Sequence, residues 1–181
     1  PTRAHVEGTP LQRARGAARV ALSHDAEGPR TRTRIAGLRQ EGCGKAFLLY
    51  EFPRAVPGPE VAGIDVSEYG IAHAKEEVRP FLTVGNATSL PWPDGHFDFV
   101  LSINTFHNLK NFELFDALTE MRRVGKDARK YVCVESYRTE REKANLMYWQ
   151  LTCETFYTPE EWHWFYDLAG YAGDTDFIFF E

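Results

Sequence analysis

Short apolar runs alternate with helix-length amphipathic segments over most of the sequence, and this alternation limits the fold more than any other feature. The apolar runs are residues 61–66, 81–87, 97–104, 130–137 and 176–181. The amphipathic segments are residues 67–79, 111–125, 139–151 and 158–170. Strands that alternate with helices of about 12 residues are typical of right-handed crossovers in a parallel sheet. The sequence therefore predicts an α/β fold, doubly wound, with helices on both faces of a mostly parallel sheet.

The predicted helices carry start and stop signals. Ser67 and Asn111 are suitable N-cap residues for the first two helices, and Gly125 is a suitable stop for the second. Thr158 and Glu161 have the spacing of a capping box, with Pro159 at the first helical position. These signals support the predicted order of elements.

The composition is that of one ordinary globular domain. The chain has 181 residues, of which 43% are hydrophobic and 26% charged. No uninterrupted apolar run approaches the roughly 20 residues that a membrane helix needs. A net charge of −5 argues against a general nucleic-acid binder.

The cysteines and the N-terminal residues bear on compartment and metal binding. Cys43, Cys133 and Cys153 lie far apart and are odd in number, which excludes a disulfide framework and a CxxC metal site. No metal is predicted. No apolar stretch of about 7–15 residues follows the first arginines, so we expect a cytoplasmic protein without a secretory signal.

The composition changes abruptly near residue 40. Residues 1–40 hold eight arginines, no lysine and three acidic residues, whereas all 25 aromatic residues lie in residues 41–181. We therefore predict a poorly ordered basic arm over residues 1–40, followed by one domain over residues 41–181. Two alternatives stay open for the arm: a binding segment for an anionic partner, and a stretch supplied by an upstream reading-frame error.

A glycine-containing loop and an acid have the spacing of a nucleoside-binding unit. Gly42 and Gly44 precede a helix-like segment, and Asp65 ends the next predicted strand, 23 residues after Gly42. In such units the loop approaches the ligand closely and the acid accepts ribose hydroxyls. The alternatives are a turn that needs positive φ for the glycines, and an N-cap role for Asp65 at the helix that begins near Ser67.

The order of several motifs resembles a known family. GCGKAFLL, GIDVSEYGIAHAK, VGNATSLPWPDGHFDFVLSINTFHNL, KYVCVESY and FYTPEEWHWFYDLAGY follow one another as in the class I S-adenosylmethionine-dependent methyltransferases. The resemblance covers about residues 41–181. It implies a Rossmann-like fold, S-adenosylmethionine as cofactor and methyl transfer to a small-molecule acceptor.

The same resemblance implies a set of cofactor-binding residues. Gly42 and Gly44 would lie against the methionine part of the cofactor, and Asp65 would bind its ribose. Asn86, with Ala87 beside it, would meet the adenine. Asn104 would face the methionine and methyl region.

The chain departs from the family pattern in its first strand. Gln40 stands where the family usually has an acid, and Ala46 replaces the third glycine. Arg34 and Arg39 flank the segment that would form a central strand, which is normally buried on both faces. We therefore expect the first strand to be malformed, short or missing.

The resemblance and the strand ends also suggest residues for the acceptor side. His107, just past the strand 97–104, is the candidate general base, with a pocket-wall role as the alternative. Glu135 and Tyr137 end another strand and could contact the acceptor, although Glu135 could equally cap a neighbouring helix. Six aromatic residues are expected to form packed core rather than an acceptor pocket: Tyr148, Trp149, Phe156, Tyr157, Trp162 and Trp164.

Two other functions fit parts of the pattern. A dinucleotide-dependent oxidoreductase is disfavoured because Phe47 stands where the third glycine of its loop belongs. The other is a methyltransferase-like binding module that has lost cofactor binding through its altered first strand.

Overall fold

The computed structural model describes residues 34–38, 49–51, 59–126 and 129–181. These residues form one sheet of six strands in the order β3-β2-β1-β4-β5-β6, with every neighbouring pair parallel. The strands are β1 Arg34–Leu38, β2 Glu60–Asp65, β3 Leu82–Val84, β4 Phe99–Ile103, β5 Lys130–Glu135 and β6 Asp174–Ile178. This is the strand order of the doubly wound Rossmann fold, and it confirms the predicted fold class.

Helices cover both faces of the sheet, as predicted. They are α1 Glu68–Ala72, α2 Asn111–Val124, α3 Glu140–Trp149 and α4 Pro159–Leu168, with short 3₁₀ turns at Arg79–Phe81 and Phe106–Asn108. One core cluster joins α2 and α4 to Val100 and Val132, and another joins Leu49 to the alternate strand residues Leu101 and Cys133. Successive residues of a strand face opposite sides, so the two clusters lie on opposite faces. Among the described residues, no helix has the length and apolar character to cross a membrane.

The first strand is the main correction to the sequence analysis. β1 is a regular strand of five residues at the centre of the sheet, paired with β2 and β4. The expectation that it is short or missing is wrong because Arg34 occupies its first position, where the guanidinium Nε lies 3.2 Å from Glu60 Oε2. The buried middle position is the small apolar Ala36. Residues 34–38 therefore belong to the sheet and not to the predicted arm, whose first 33 residues lie outside the described part.

The predicted helix signals are mostly confirmed. Ser67 Oγ accepts a hydrogen bond from the Gly70 N–H, Thr158 and Glu161 form a capping box, and Gly125 ends α2. Several boundaries were wrong, three of them at the first two helices and the last strand. α1 ends at Ala72 rather than residue 79, Lys110 rather than Asn111 is the N-cap of α2, and the last strand ends at Ile178.

Candidate active site

The carboxyl edge of the sheet has a topological switch point between β1 and β4. These two strands are neighbours, with Leu38 opposite Ser102, while β1 pairs with β2 on its other side. Ligands of open α/β sheets bind outside the carboxyl ends of strands at such a point. Asp65, Asn86 and Asn104 follow or end three strands at this edge. Gly42 and Gly44 lie outside the described residues.

Asp65 is the last residue of β2 and is partly buried. Its Oδ1 accepts a hydrogen bond of 2.9 Å from the Ser67 N–H, so one oxygen has the local turn role that was kept as an alternative. Within the described part of the chain, Oδ2 receives no hydrogen bond. The arrangement thus leaves one carboxylate oxygen for a ligand hydroxyl while the other orders the turn into α1.

The loop after β3 is tied to the end of β2. The Gly85 N–H donates to the Asp65 carbonyl at 3.0 Å, which brings the next two residues beside this strand end. Asn86 is exposed, and its Oδ1 accepts a hydrogen bond of 3.0 Å from the Thr88 N–H. Ala87 is fully buried in the core. The structure therefore brings Asp65, Asn86 and Ala87 together as one corner of the candidate site.

Asn104 follows β4 in an uncommon backbone conformation. Its φ of 54° is the sole positive value for a non-glycine residue in the described ranges, and its N–H donates to the Cys133 carbonyl at 3.0 Å. Asparagine tolerates this region better than most residues, and such outliers cluster at functional sites. Two residues earlier, the buried Ser102 Oγ has no hydrogen-bond partner among the described residues. Sequence reasoning missed Ser102 because a serine within an apolar run gives no distinctive signal.

An Arg123 network holds the segment that leads away from this corner. Arg123 donates hydrogen bonds to the carbonyls of Leu90 and Trp92, to the Asp94 carboxylate and to Glu120. Glu120 Oε2 in turn accepts from the Leu90 N–H at 2.7 Å. These charge-assisted bonds raise the pKa of the Arg123 guanidinium and lower the pKa of the Glu120 carboxyl.

We expect Arg123→Met to lower the free energy of unfolding by about 1.5–3 kcal/mol, because several charge-assisted hydrogen bonds to this loop disappear together. Urea unfolding followed by circular dichroism measures the change. Arg141→Met, on the exposed face of α3, is the matched control and should change stability by less than about 0.5 kcal/mol. Equal stability of the two variants would show that the network does not hold the loop.

His107 and Glu135 meet in a buried polar cluster at the next strand end. His107 Nδ1 accepts a hydrogen bond of 3.3 Å from the Glu135 N–H, and its Nε2 lies 3.6 Å from Glu135 Oε2. Gln150 Nε2 donates to the other oxygen, Oε1, at 2.5 Å. The His107 carbonyl also accepts from the N–H groups of Glu154 and Thr155. His107 therefore joins the loop after β4 to β5 and to the segment after α3.

The hydrogen bonds define the state of the histidine. Nδ1 accepts a hydrogen bond from the Glu135 N–H, so Nδ1 carries no hydrogen and the neutral imidazole has its hydrogen on Nε2. Burial lowers the pKa of His107 to about 4, and burial raises the pKa of Glu135. This geometry favours the pocket-wall role that was the alternative to a general base. The base assignment for His107 stays a prediction, which kinetics of a His107 variant would test.

The aromatic residues suggested as packed core divide into two groups. Trp162 is fully buried and lies 5.3 Å from Tyr157 between ring centroids. Phe156 and Tyr157 are partly buried. The other three are exposed, so the packed-core expectation is wrong for Tyr148, Trp149 and Trp164. Helical spacing did not separate the two groups because the aromatic end of α3 faces solvent and Trp164 lies on the exposed face of α4.

A cavity of about 700 Å³ lies at the other edge of the sheet. Arg34, Glu60 and Phe97, which stand at or just before the amino ends of β1, β2 and β4, are among its lining residues. The predicted site residues are absent from the described lining. We therefore assign the candidate site to the carboxyl edge, where the described members of the predicted site converge.

Comparison with known proteins agrees with this geometry. The family model described as "Methyltransferase domain" matches residues 40–133, just over half of the 181-residue chain. The chain belongs to this methyltransferase domain family. Membership confirms the resemblance found from the order of the motifs, and the match covers β2 to β4 with the loops that carry Asp65, Asn86 and Asn104.

Relatives of this domain are named as methyltransferases, and some of the names specify an acceptor. A demethylmenaquinone methyltransferase of Anoxybacillus flavithermus is 36% identical over 101 residues, which cover 52% of this chain and 42% of the relative. An uncharacterized methyltransferase of Schizosaccharomyces pombe is 32% identical over 104 residues, covering 51% of this chain and 36% of that protein. The chain thus spans less than half the length of these curated relatives.

Solved structures show the fold. A putative methyltransferase from Bacillus halodurans C-125 superposes with a TM-score of 0.66 at 16% identity, over 90% of this chain and 69% of the other. A SAM-dependent methyltransferase from Archaeoglobus fulgidus gives a TM-score of 0.59 at 20% identity, over 86% and 68%. At these identities the likeness is one of fold.

Proposed function

We propose that this chain transfers a methyl group from S-adenosylmethionine to a small-molecule acceptor at the carboxyl edge of its sheet. Family membership supports the reaction class. The observation that carries the proposal is the placement of Asp65, Asn86 and Asn104 at three strand ends around the switch point. These groups suit a ligand with a ribose, an adenine and an amino-acid portion.

The residues present fit that cofactor. Asp65 Oδ2 accepts a ribose hydroxyl, while Oδ1 keeps its bond to the Ser67 N–H. Asn86 meets the adenine amino group, with Ala87 beside it, and Asn104 faces the methionine and methyl region. The buried Ser102 Oγ, which has no partner among the described residues, is a further polar group at this edge. Gly42 and Gly44 are assigned to the methionine part.

The main task of the protein in this reaction is positioning. When bound, S-adenosylmethionine supplies a methyl group that its sulfonium already activates. The strand-end residues align the acceptor with that methyl group and exclude water. A proton-accepting group contributes only where the acceptor atom carries a hydrogen.

The acceptor class follows from the relatives' names. Several relatives are named demethylmenaquinone methyltransferase, and a demethylmenaquinone carries a quinone ring. Carried over to this chain, the acceptor is a small molecule with a quinone-type ring, in its reduced form, which carries two ring hydroxyls. The competing proposals are a dinucleotide-dependent oxidoreductase and a non-catalytic binding module. An oxidoreductase would bind NAD rather than S-adenosylmethionine, and a module that has lost its cofactor site would bind neither.

Asp65→Ala tests the cofactor site. We expect it to weaken S-adenosylmethionine binding by about 1.5–3 kcal/mol, because the charge-assisted hydrogen bonds to the ribose are lost. Calorimetric titration measures the dissociation constant, with Asp116→Ala on the exposed face of α2 as the control. A dissociation constant equal to that of the control would remove Asp65 from the site.

A further inference from the structure

Glu135 has an unmet hydrogen-bonding capacity at the carboxyl end of β5. Its side chain is 3% exposed, and Oε2 has no hydrogen-bond partner among the described residues. His107 Nε2 lies 3.6 Å from that oxygen, a distance longer than a hydrogen bond. A buried carboxylate oxygen without a donor is costly unless it serves a purpose.

The titratable groups around Glu135 leave it as the one that can exchange a proton. His107, from the loop after β4, is held neutral by the Glu135 N–H at its Nδ1. Cys153, from the segment after α3, donates its Sγ–H to the Thr155 carbonyl at 3.4 Å, and burial raises the pKa of this thiol to about 11. Both neighbours are therefore uncharged near neutral pH, and Glu135 is the member of this described cluster that can change charge.

The segment around Gln150, which contacts the Glu135 carboxylate, is largely exposed to solvent. Gln150, which donates to Glu135 Oε1, is the C-cap of α3. The side chains on either side of it, Trp149 and Leu151, are 75% and 94% exposed. Segments with few buried contacts open at low cost. To reach the carboxylate, an acceptor must displace the hydrogen bond from Gln150.

We propose that Glu135 accepts the proton that the methyl acceptor loses, and that His107 positions the Glu135 carboxylate as it does so. The inference rests on the proposed methyl transfer to a hydroxylated ring. The acceptor O–H bond breaks and its proton goes to the Glu135 carboxylate. The electron pair freed on the acceptor oxygen forms the new oxygen–carbon bond to the methyl group, and the pair of the broken carbon–sulfur bond stays on sulfur. The acid form of Glu135 then returns its proton to water.

The kinetic test compares Glu135→Gln with Glu154→Gln, an exposed neighbour in the segment after α3. The probe is dihydroxynaphthalene, with S-adenosylmethionine carrying a radiolabelled methyl group. We expect Glu135→Gln to lower kcat by about 10²–10⁴-fold with cofactor affinity unchanged, and Glu154→Gln to match the wild type. In the wild type kcat should rise with pH through the ionisation of Glu135, and this limb should vanish in Glu135→Gln. A fall of less than about fivefold in Glu135→Gln overturns the proposal.

A second measurement needs no acceptor. Infrared difference spectra are recorded between about pH 5 and about pH 8. They should show the carbonyl stretch of the protonated Glu135 carboxyl, and this band should disappear with rising pH at a midpoint above the ordinary pKa range of glutamate. Glu135→Gln should remove this band and Glu154→Gln should keep it. His107→Asn should shift the midpoint of this band, because the ring that accepts the Glu135 N–H and lies 3.6 Å from Oε2 is replaced. A band that persists unchanged in Glu135→Gln overturns the proposal.

The two readouts separate this inference from the proposed function. Transfer by the wild type with Glu135→Gln as active as the control refutes the role of Glu135 and keeps the methyltransferase proposal. Absence of transfer by the wild type, with the Glu135 band present, refutes the proposed acceptor class and supports Glu135 as the proton-holding group.

Discussion

Ala36→Asp is expected to leave the chain largely unfolded. Ala36 is fully buried at the middle of β1, with β2 on one side and β4 on the other. An unpaired carboxylate at this position has no compensating partner and costs more than about 4 kcal/mol, a large part of the roughly 5–15 kcal/mol that stabilises a domain. Circular dichroism during urea unfolding measures the loss.

The matched control for this prediction is Thr83→Asp. Thr83 is exposed on the edge strand β3, where a new carboxylate stays in water. We expect that variant to lose no more than about 1 kcal/mol. If Ala36→Asp and Thr83→Asp unfold at the same urea concentration, β1 does not occupy the centre of the sheet.

Acidification is expected to remove about 2–3 kcal/mol of the stability that depends on His107. Burial lowers the pKa of His107 from 6.5 to about 4 in the folded chain. Between these values the unfolded state binds a proton and the folded state does not, so stability is present above about pH 6.5 and falls as the pH approaches 4. The raised pKa of Glu135 acts in the opposite direction, since its contribution is lost as pH rises.

His107→Asn isolates the contribution of His107 to the pH dependence of the unfolding free energy. Unfolding free energies at about pH 7 and about pH 4.5 should differ less in this variant than in the wild type. His163→Asn, which alters an exposed histidine on α4, should keep the wild-type difference. A pH dependence that is the same in all three proteins would mean that His107 is not buried in its neutral form.

The fold could be predicted because its signals are local. Apolar runs such as residues 61–66 mark strands buried on both faces, and Ser67 and Thr158 mark helix starts through short-range hydrogen bonds. The first strand was wrongly expected to be short or missing, because the positions of its arginines in the sequence do not show which residues of the neighbouring strand they face. Arg34 is tolerated since it stands at the strand end opposite Glu60.

The site was predictable only in part. Asp65, Asn86 and Asn104 follow strand ends, so the rule for parallel sheets was enough to bring them to one edge. The state of His107 depends on the Glu135 N–H, 28 positions away, and the link from Glu135 to Gln150 depends on how α3 crosses the edge. Contacts between residues so far apart produce no periodic pattern in the sequence, so sequence patterns alone do not predict them.

Thermal-shift titration of the wild-type chain tests most directly whether the carboxyl edge binds S-adenosylmethionine. A ligand that binds only the folded state raises the melting temperature, and the rise continues with the logarithm of ligand concentration above the dissociation constant. We expect S-adenosylmethionine to raise the melting temperature progressively with concentration and NAD to leave it unchanged. A rise with NAD alone would contradict the methyltransferase account in favour of an oxidoreductase, and no rise with either ligand would contradict cofactor binding at this edge.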